Sequence, residues 1–160
     1  MNAVLDKDFG KLYFDGAWKG LCEIVIFGSR CEVELVVQTF DAAPISESQR
    51  LAFREFNLNK ISISLLVEDA VFNYYLNRLE EYRESFGAAE VGANAPKVYA
   101  VDDMQDLVSL KRIKVMSAFD AEARQIGFIF DAKFDPQLGL GVLVTNCSVE
   151  AVDTQDILLG

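Results

Sequence analysis

The sequence predicts an α+β fold: an antiparallel β-sheet, made of an N-terminal meander and a set of C-terminal strands, packed against two central helices. Three observations carry that expectation. Apolar and polar residues alternate from Trp18 to Thr39 around Gly28-Ser29. Apolar residues recur at helical spacing between Ser46 and Phe86, and alternation returns between Arg112 and Val152. Strands, helices and strands thus form separate blocks, with no alternating β-α-β pattern and no phosphate loop. At 160 residues, with 51% apolar and 25% charged residues, the chain is expected to be a single globular domain over 1–160.

The meander begins with a short strand, Lys11 to Phe14, and a turn at Asp15-Gly16. Trp18 to Phe27 and Arg30 to Thr39 form a hairpin around Gly28-Ser29, a pair suited to a type II′ turn. That register sets Ile26 opposite Cys31, Ile24 opposite Val33 and Glu23 opposite Glu34. One face then collects Cys22, Ile24, Ile26, Cys31, Val33, Leu35 and Val37, and the other is mostly polar. A one-residue slip would destroy the separation. The facing Glu23 and Glu34 are a mildly unfavourable pair that a nearby cation would relieve.

Ser46 and Gln49 form a capping box for a helix running to about Asn57. Asn57, Asn59, Ser62 and Ser64 break or re-cap it. A longer helix follows from about Ser62 to Ser85, with Ile63, Leu66, Val67, Ala70, Val71, Tyr74, Tyr75, Leu79 and Tyr82 on its apolar side and Gly87 as its stop. Residues 87 to 97 read as a small-residue connector, and Asp102 to Asp106 as a brief helix with acids at its positive end. Strands are expected at Arg112 to Phe119, Gln125 to Phe134, Leu140 to Thr145 and Ser148 to Val152. The turns between them fall at Asp120-Ala121-Glu122-Ala123, Asp135-Pro136-Gln137 and Asn146-Cys147.

Composition excludes several chemistries. The chain contains no histidine, so it cannot build a Ser-His-Asp or Cys-His site or an imidazole zinc site from its own residues. Its formal charge of -10 repels phosphate backbones, so nucleic acid is not an expected partner. No apolar run approaches the ~20 residues of a membrane helix, and no membrane association is expected. Residues 1–6 lack the basic start and apolar stretch of a signal peptide, so a cytoplasmic location is expected. Three cysteines, none in a CxxC spacing, read as buried free thiols. The hairpin register sets Cys22 and Cys31 about 13 Å apart along the strand, too far for a disulfide.

Four local patterns have plain structural readings. Asp8-Phe9-Gly10 spells a kinase magnesium motif but lacks every other kinase element, and reads as a loop into the first strand. Gly139-Leu140-Gly141 lacks the third glycine and the helix of a dinucleotide fingerprint, and reads as a bend before a buried strand. Asp102, Asp103 and Asp106 lack the spacing of a calcium loop, and helix capping explains them. Glu80, Glu81 and Glu84 fall on the exposed side of the long helix, either as a solvated face or as an acidic docking surface.

Taken together, Phe9-Gly10, Trp18-Lys19-Gly20, the Gly28 hairpin, Ile45-Ser46 with Gln49, Asp69-Ala70-Val71 with Tyr74-Tyr75, and Phe134-Asp135-Pro136-Gln137-Leu138-Gly139-Leu140-Gly141-Val142 resemble a bacterial family of small domains of uncharacterised function. In that family the last stretch commonly carries Glu-His where this chain has Gln137-Leu138. If that pair does chemistry in relatives, this chain cannot do it. The resemblance implies association with candidate immunity proteins of polymorphic toxins, which bind a toxin domain and block it.

The expected function is therefore a non-catalytic protein-binding module of the immunity type, with no cofactor and no metal. Its partner would be a basic toxin domain, met through Glu80, Glu81 and Glu84, with Asp102, Asp103 and Asp106 as the second surface. The alternatives are a structural module that forms homo-oligomers, and an enzyme using carboxylates or an unrecognised cofactor.

Overall fold

The computed structural model describes residues 3–40, 43–117 and 122–159. The strands are β1 (Ala3–Asp6), β2 (Gly10–Phe14), β3 (Trp18–Ile26), β4 (Ser29–Val37), β5 (Val108–Val115), β6 (Gln125–Ala132), β7 (Leu140–Thr145) and β8 (Ser148–Asp153). They form one eight-stranded sheet whose spatial order follows the chain. Helices α1 (Glu47–Leu58), α2 (Lys60–Glu84) and the one-turn α3 (Val91–Asn94) lie between β4 and β5. Two 3-10 segments, Val101–Asp106 and Gln155–Leu158, complete the elements. The expected α+β architecture holds. Every neighbouring pair is antiparallel except β4 with β5, which the helical excursion returns in parallel. Among the described residues no helix is long and apolar enough to cross a membrane.

The core lies between the sheet and the helices. Cys22, Ile24 and Ile26 of β3, Val33, Leu35 and Val37 of β4, and Phe128 and Phe130 of β6 face it from the sheet. Ala52, Phe53 and Phe56 of α1 and Ile63, Val67, Val71 and Tyr75 of α2 face it from the helices. The Val, Leu, Ile and Phe side chains among them each contribute roughly 1.5–3 kcal/mol by leaving water. The capping box forms as expected: Ser46 Oγ accepts from Gln49 N–H, and Gln49 Oε1 accepts from Ser46 N–H. Gln49 is itself buried and donates to the Gln38 carbonyl at 2.5 Å, which ties the start of α1 to the end of β4. On the opposite sheet face, Leu158 of the last 3-10 segment is fully buried over Gly127 and Gly141. A Cβ at Gly127 would lie 3.0 Å from the Leu158 methyls, so glycine makes room for that cover.

The hairpin register departs from expectation. Ile26 faces Ser29, Ile24 faces Cys31, and Cys22 faces Val33. The turn is therefore Phe27-Gly28, with φ of 48° and 75°, a type I′ turn, and not Gly28-Ser29. The shift is two residues, so the side chains within the strands keep their faces, whereas Phe27, expected on the polar face, moves into the turn and is buried. Alternation distinguishes odd slips from even ones only. The fold puts a bulky residue in the left-handed region at about 1–2 kcal/mol. In return it buries the Phe27 ring, edge-on to Phe130.

The corrected register changes the charge pairs and the thiols. Glu23 faces Glu32, not Glu34, and Arg30 relieves it with an ion pair at 2.5 Å. Glu34 is held instead by Arg112 at 2.7 Å. Cys31 lies only two residues along from Cys22, yet Cys22, Cys31 and Cys147 are all free thiols. Cys22 is buried as expected, whereas Cys31 and Cys147 are half-buried.

Other strand boundaries also move. The residues before Lys11 are not a loop: Ala3–Asp6 pairs with Gly10–Phe14, and Asp8-Phe9 lies in the connecting turn. Strand β5 starts at Val108, four residues earlier than expected, and ends at Val115. The expected strand end at Phe119 and the turn residues Asp120 and Ala121 lie outside the described residues. Phe134, expected in β6, sits just beyond it and packs between Tyr75 and Tyr82.

Candidate functional site

A β-bulge opens the sheet at its one parallel junction. The β5–β6 register jumps between Leu110 and Arg112, so Lys111 is the extra residue. Bulges bend the strand that carries them and often end pairing on its other edge. Here β4 and β5 pair only from Glu34 opposite Arg112 to Val37 opposite Val115. The first five residues of β4, Ser29 to Val33, have no partner on β5. The two strands diverge from Glu34 and Arg112 like the jaws of a wedge.

The mouth of that wedge is a groove of about 780 Å³. Ile26, Phe27 and Cys31 line one side, and Leu107, Val108, Leu110 and Ala132 the other. Phe86, just past the end of α2, and Asn94 of α3 close the helical side. Asp106, Asp131 and Lys133 supply charge at the rim. A smaller depression shares Phe86 and Pro136 with this groove and adds Glu81, Tyr82, Asp135 and Gln137. The end of α2, the groove and the 134–137 turn thus make one continuous surface.

The hairpin turn that borders the groove is braced from α2. The Glu68 carboxylate accepts the Phe27 N–H at 3.1 Å, holding the left-handed residue in place. Burial pushes the Glu68 carboxyl above its ordinary value; the Phe27 hydrogen bond opposes this, and the nearby Asp102 and Asp69 charges add to it. The aromatic residues under the smaller depression are equally fixed. The Tyr75 hydroxyl donates to the Pro96 carbonyl at 2.6 Å, and burial pushes its pKa up to about 12. Burial, with a hydrogen bond to Tyr74, pushes Tyr82 well above the usual phenol range. Neither phenol is an acid or base near neutral pH.

The six acids expected from the sequence divide into three groups. Glu80, Glu81 and Glu84 are exposed on the last turns of α2, and no ion pair among the described residues involves them. The arginines beside them are engaged elsewhere: Arg83 donates to the Ala95 carbonyl at 2.7 Å, and Arg78 stacks over the Tyr74 ring. Asp106 sits on the groove rim, on the surface that also carries Glu81. Asp103 caps its own segment, accepting the N–H groups of Tyr99 and Ala100 at 2.8 and 3.0 Å. That is the structural role the sequence offered as its plain reading. Asp102 is exposed beside Glu68, not on the groove.

Other sequence motifs resolve as structure. Asp6 and Asp8 flank the turn into Phe9-Gly10, where Asp6 Oδ1 accepts the N–H groups of Asp8 and Phe9. Gln137 and Leu138 are exposed in the turn before β7. Asp135 Oδ1 accepts the Leu138 N–H there, a turn contact with no adjoining nucleophile or base. Gly139 has a φ of 57°, and an added Cβ would meet the Phe130 carbonyl at 2.4 Å, so it is a steric requirement of the bend. Among the described residues no group of three or more His, Cys, Asp or Glu side chains could hold a metal ion.

The groove itself was not visible in the sequence. Its one advance signal is local: Val108-Ser109-Leu110 alternates, and so does Arg112-Ile113-Lys114-Val115, but the two runs are out of phase by one residue. That break is the bulge. The family model for a domain of unknown function, DUF6985, matches residues 8–159. No curated protein and no solved structure matches the chain.

Proposed function

The chain belongs to the DUF6985 family of domains of unknown function, and on that premise we propose that it is a non-catalytic binding module of the immunity type, which holds and neutralises a basic toxin domain. The observation that carries the proposal is a set of exposed acids with no ion pair among the described residues: Glu80, Glu81 and Glu84 on the last turns of α2, and Asp106 on the rim of an apolar groove whose surface continues to Glu81. Within a chain of charge -10, that arrangement favours encounter with a basic protein surface. The groove supplies apolar area, which gives affinity once charge has oriented the partners. The proposed location is the cytoplasm.

The test is co-expression with the adjacently encoded toxin candidate, scored by cell survival and pull-down. Survival with a stable complex is the expected result; no protection and no complex would end the proposal. A second reading, self-association, draws on a different surface. Leu58 and Ile61 at the junction of α1 and α2 are 85% and 82% exposed, with Leu65 beside them on α2. Sedimentation across a concentration series separates the two, because a homo-oligomer would grow with concentration in the absence of any partner.

A further inference from the structure

The geometry points to an extended segment of another protein, apolar on one side and basic on the other, as the occupant of the wedge between β4 and β5. This deepens the binding reading above and rests on it. The register of the β3–β4 hairpin fixes which way the main chain of β4 points. In a two-residue hairpin the closing pair, Ile26 and Ser29, exchanges both hydrogen bonds, and every second pair repeats that pattern. Ser29, Cys31 and Val33 therefore turn their N–H and C=O groups toward β3. Arg30 and Glu32 turn theirs to the other edge, toward β5. The Gln38 N–H, which donates to the Val115 carbonyl at 3.1 Å, has the same even-numbered direction and shows that edge when it is paired.

On the facing jaw, the Lys133 N–H donates to the Leu107 carbonyl at 2.9 Å, so Leu107 and Ser109 point toward β6 and Val108 points toward β4. Below Glu34 and Arg112 the two strands form no pair, and Ser29 and Cys31 of β4, which flank Arg30 and Glu32, line the groove together with Val108 and Leu110 of β5. Main-chain donors and acceptors at the spacing of alternate strand residues recognise another strand, whatever its sequence.

The side chains around the gap give the occupant its chemistry. Its alternate residues would enter between Ile26, Phe27, Leu107 and Val108, an apolar lining that takes branched aliphatic groups. The intervening residues would project toward the rim. Asp106 there has no ion pair among the described residues, and Asp131 meets only Lys111, at 3.8 Å with both side chains more than half exposed. Such a rim favours Lys or Arg, although Lys133 opposes them on one side.

Proline at residue 32 separates this idea from a purely electrostatic one. Glu32 is exposed, and its N–H makes no bond to β3, so Glu32→Pro removes the edge donor and leaves the β3–β4 ladder intact. Glu32→Gln removes the same charge and keeps the donor. The probe is a short peptide of alternating Val and Lys, added to the full chain at up to millimolar concentration and followed by amide hydrogen exchange and fluorescence anisotropy. Slowed exchange at Arg30 and Glu32 is expected, with affinity falling about tenfold in Glu32→Pro, the equivalent of one lost hydrogen bond, and little changed in Glu32→Gln. A Val and Glu peptide should bind more weakly. Unchanged exchange at Arg30 and Glu32, or equal losses in the two variants, would overturn the wedge. The exchange measurement needs only the unaltered chain, so a Glu32→Pro variant that fails to fold leaves the question decided. If a toxin domain is captured on co-expression with no slowing at those amides, the proposed function stands and the wedge falls. If the peptide binds in the wedge and no toxin is neutralised, the wedge stands and the immunity reading falls.

Discussion

The two ends of the helical layer handle acidic residues in opposite ways. Where α1 begins, Arg50 grips both oxygens of Asp6 at 2.9 Å and also Asp8 Oδ2, and Arg54 takes Asp8 Oδ1 at 2.9 Å and shares Oδ2 at 3.1 Å. Every one of those carboxylate oxygens has a cation, and both aspartates are nearly removed from water. Where α2 ends, Glu80, Glu81 and Glu84, with Asp106 on the groove rim, are exposed and make no ion pair among the described residues. The first arrangement closes the β1–β2 turn onto the helix. The second ties no elements together by an ion pair among the described residues and leaves a field that reaches outward. Paired, half-buried acids and exposed, unpaired acids thus occupy different places; on the proposed function the second set meets the partner, and mutation should tell the two sets apart.

The largest effect is expected at Asp6. The Arg50 hydrogen bonds, the N–H groups of Asp8 and Phe9 and the Arg50 charge hold its carboxyl at about 2, against an opposing effect of burial. A carboxyl whose folded value lies below its ordinary 3.8 adds stability above that ordinary value and loses it as pH falls toward about 2. Asp6→Asn should therefore cost about 2 kcal/mol at neutral pH by denaturant unfolding, following the size of the shift. The difference from the unaltered chain should shrink as pH falls from about 4 to 2. A constant difference across that window would mean that Arg50 acts through packing on Phe9, whose ring lies 5.7 Å beneath it, and not through the ion pair.

Glu68 sharpens the comparison because it has neither a cation nor full exposure. Its folded value is raised by burial, so ionising it disfavours the folded state, and stability should rise as pH falls through the carboxylate range. Glu68→Ala removes the acceptor of the Phe27 N–H and should cost about 1 kcal/mol. Glu68→Gln keeps an acceptor, sheds the charge, and should unfold at the same temperature or a little higher. A loss with Gln as large as with Ala would show that the charge is needed and that the brace on the left-handed residue is electrostatic.

How far the sequence revealed these arrangements depends on how local each one is. The capping box at Ser46 and Gln49, the apolar face of β3 and β4, the Asn146-Cys147 turn and the boundaries of β7 are fixed by neighbours a few residues apart, and all are found as read. The turn lies at Phe27-Gly28 and not at Gly28-Ser29 because burial of the Phe27 ring against Phe130, far along the chain, outweighs local turn preference. Strand β1 was missed because it is four residues long, lies at the sheet edge and exposes Leu5. The wedge required the parallel return of β5 beside β4, a pairing between residues about eighty apart, which no local pattern encodes. Exposure of Glu80, Glu81 and Glu84 followed from helical spacing, but the commitment of Asp103 to two backbone N–H groups and the meeting of Asp106 with the end of α2 did not.

The smallest effect on stability, and the largest on binding, is expected from reversing Glu80, Glu81 and Glu84 to Lys together. They make no ion pair among the described residues, and they lie in the last turns of α2, where the helix dipole favours positive charge. Two lysines one turn apart repel much as Glu80 and Glu84 do, so the local balance is nearly unchanged. Thermal unfolding should then move by only a degree or two, in the direction of greater stability if at all. Association with a basic partner should slow markedly, since exposed charges steer encounter and are screened within ~10 Å at 0.1 M salt. The unaltered chain should lose association rate as salt rises, while the triple variant should start slow and depend little on salt. Stopped-flow association across a salt series reads both slopes. Equal slopes would remove the α2 acids from the interface and leave the rim acids of the groove, Asp106 and Asp131, to carry the steering. A triple variant that unfolds at a much lower temperature would break the comparison itself, because those acids would then belong with Asp6 and Asp8 as parts of the fold.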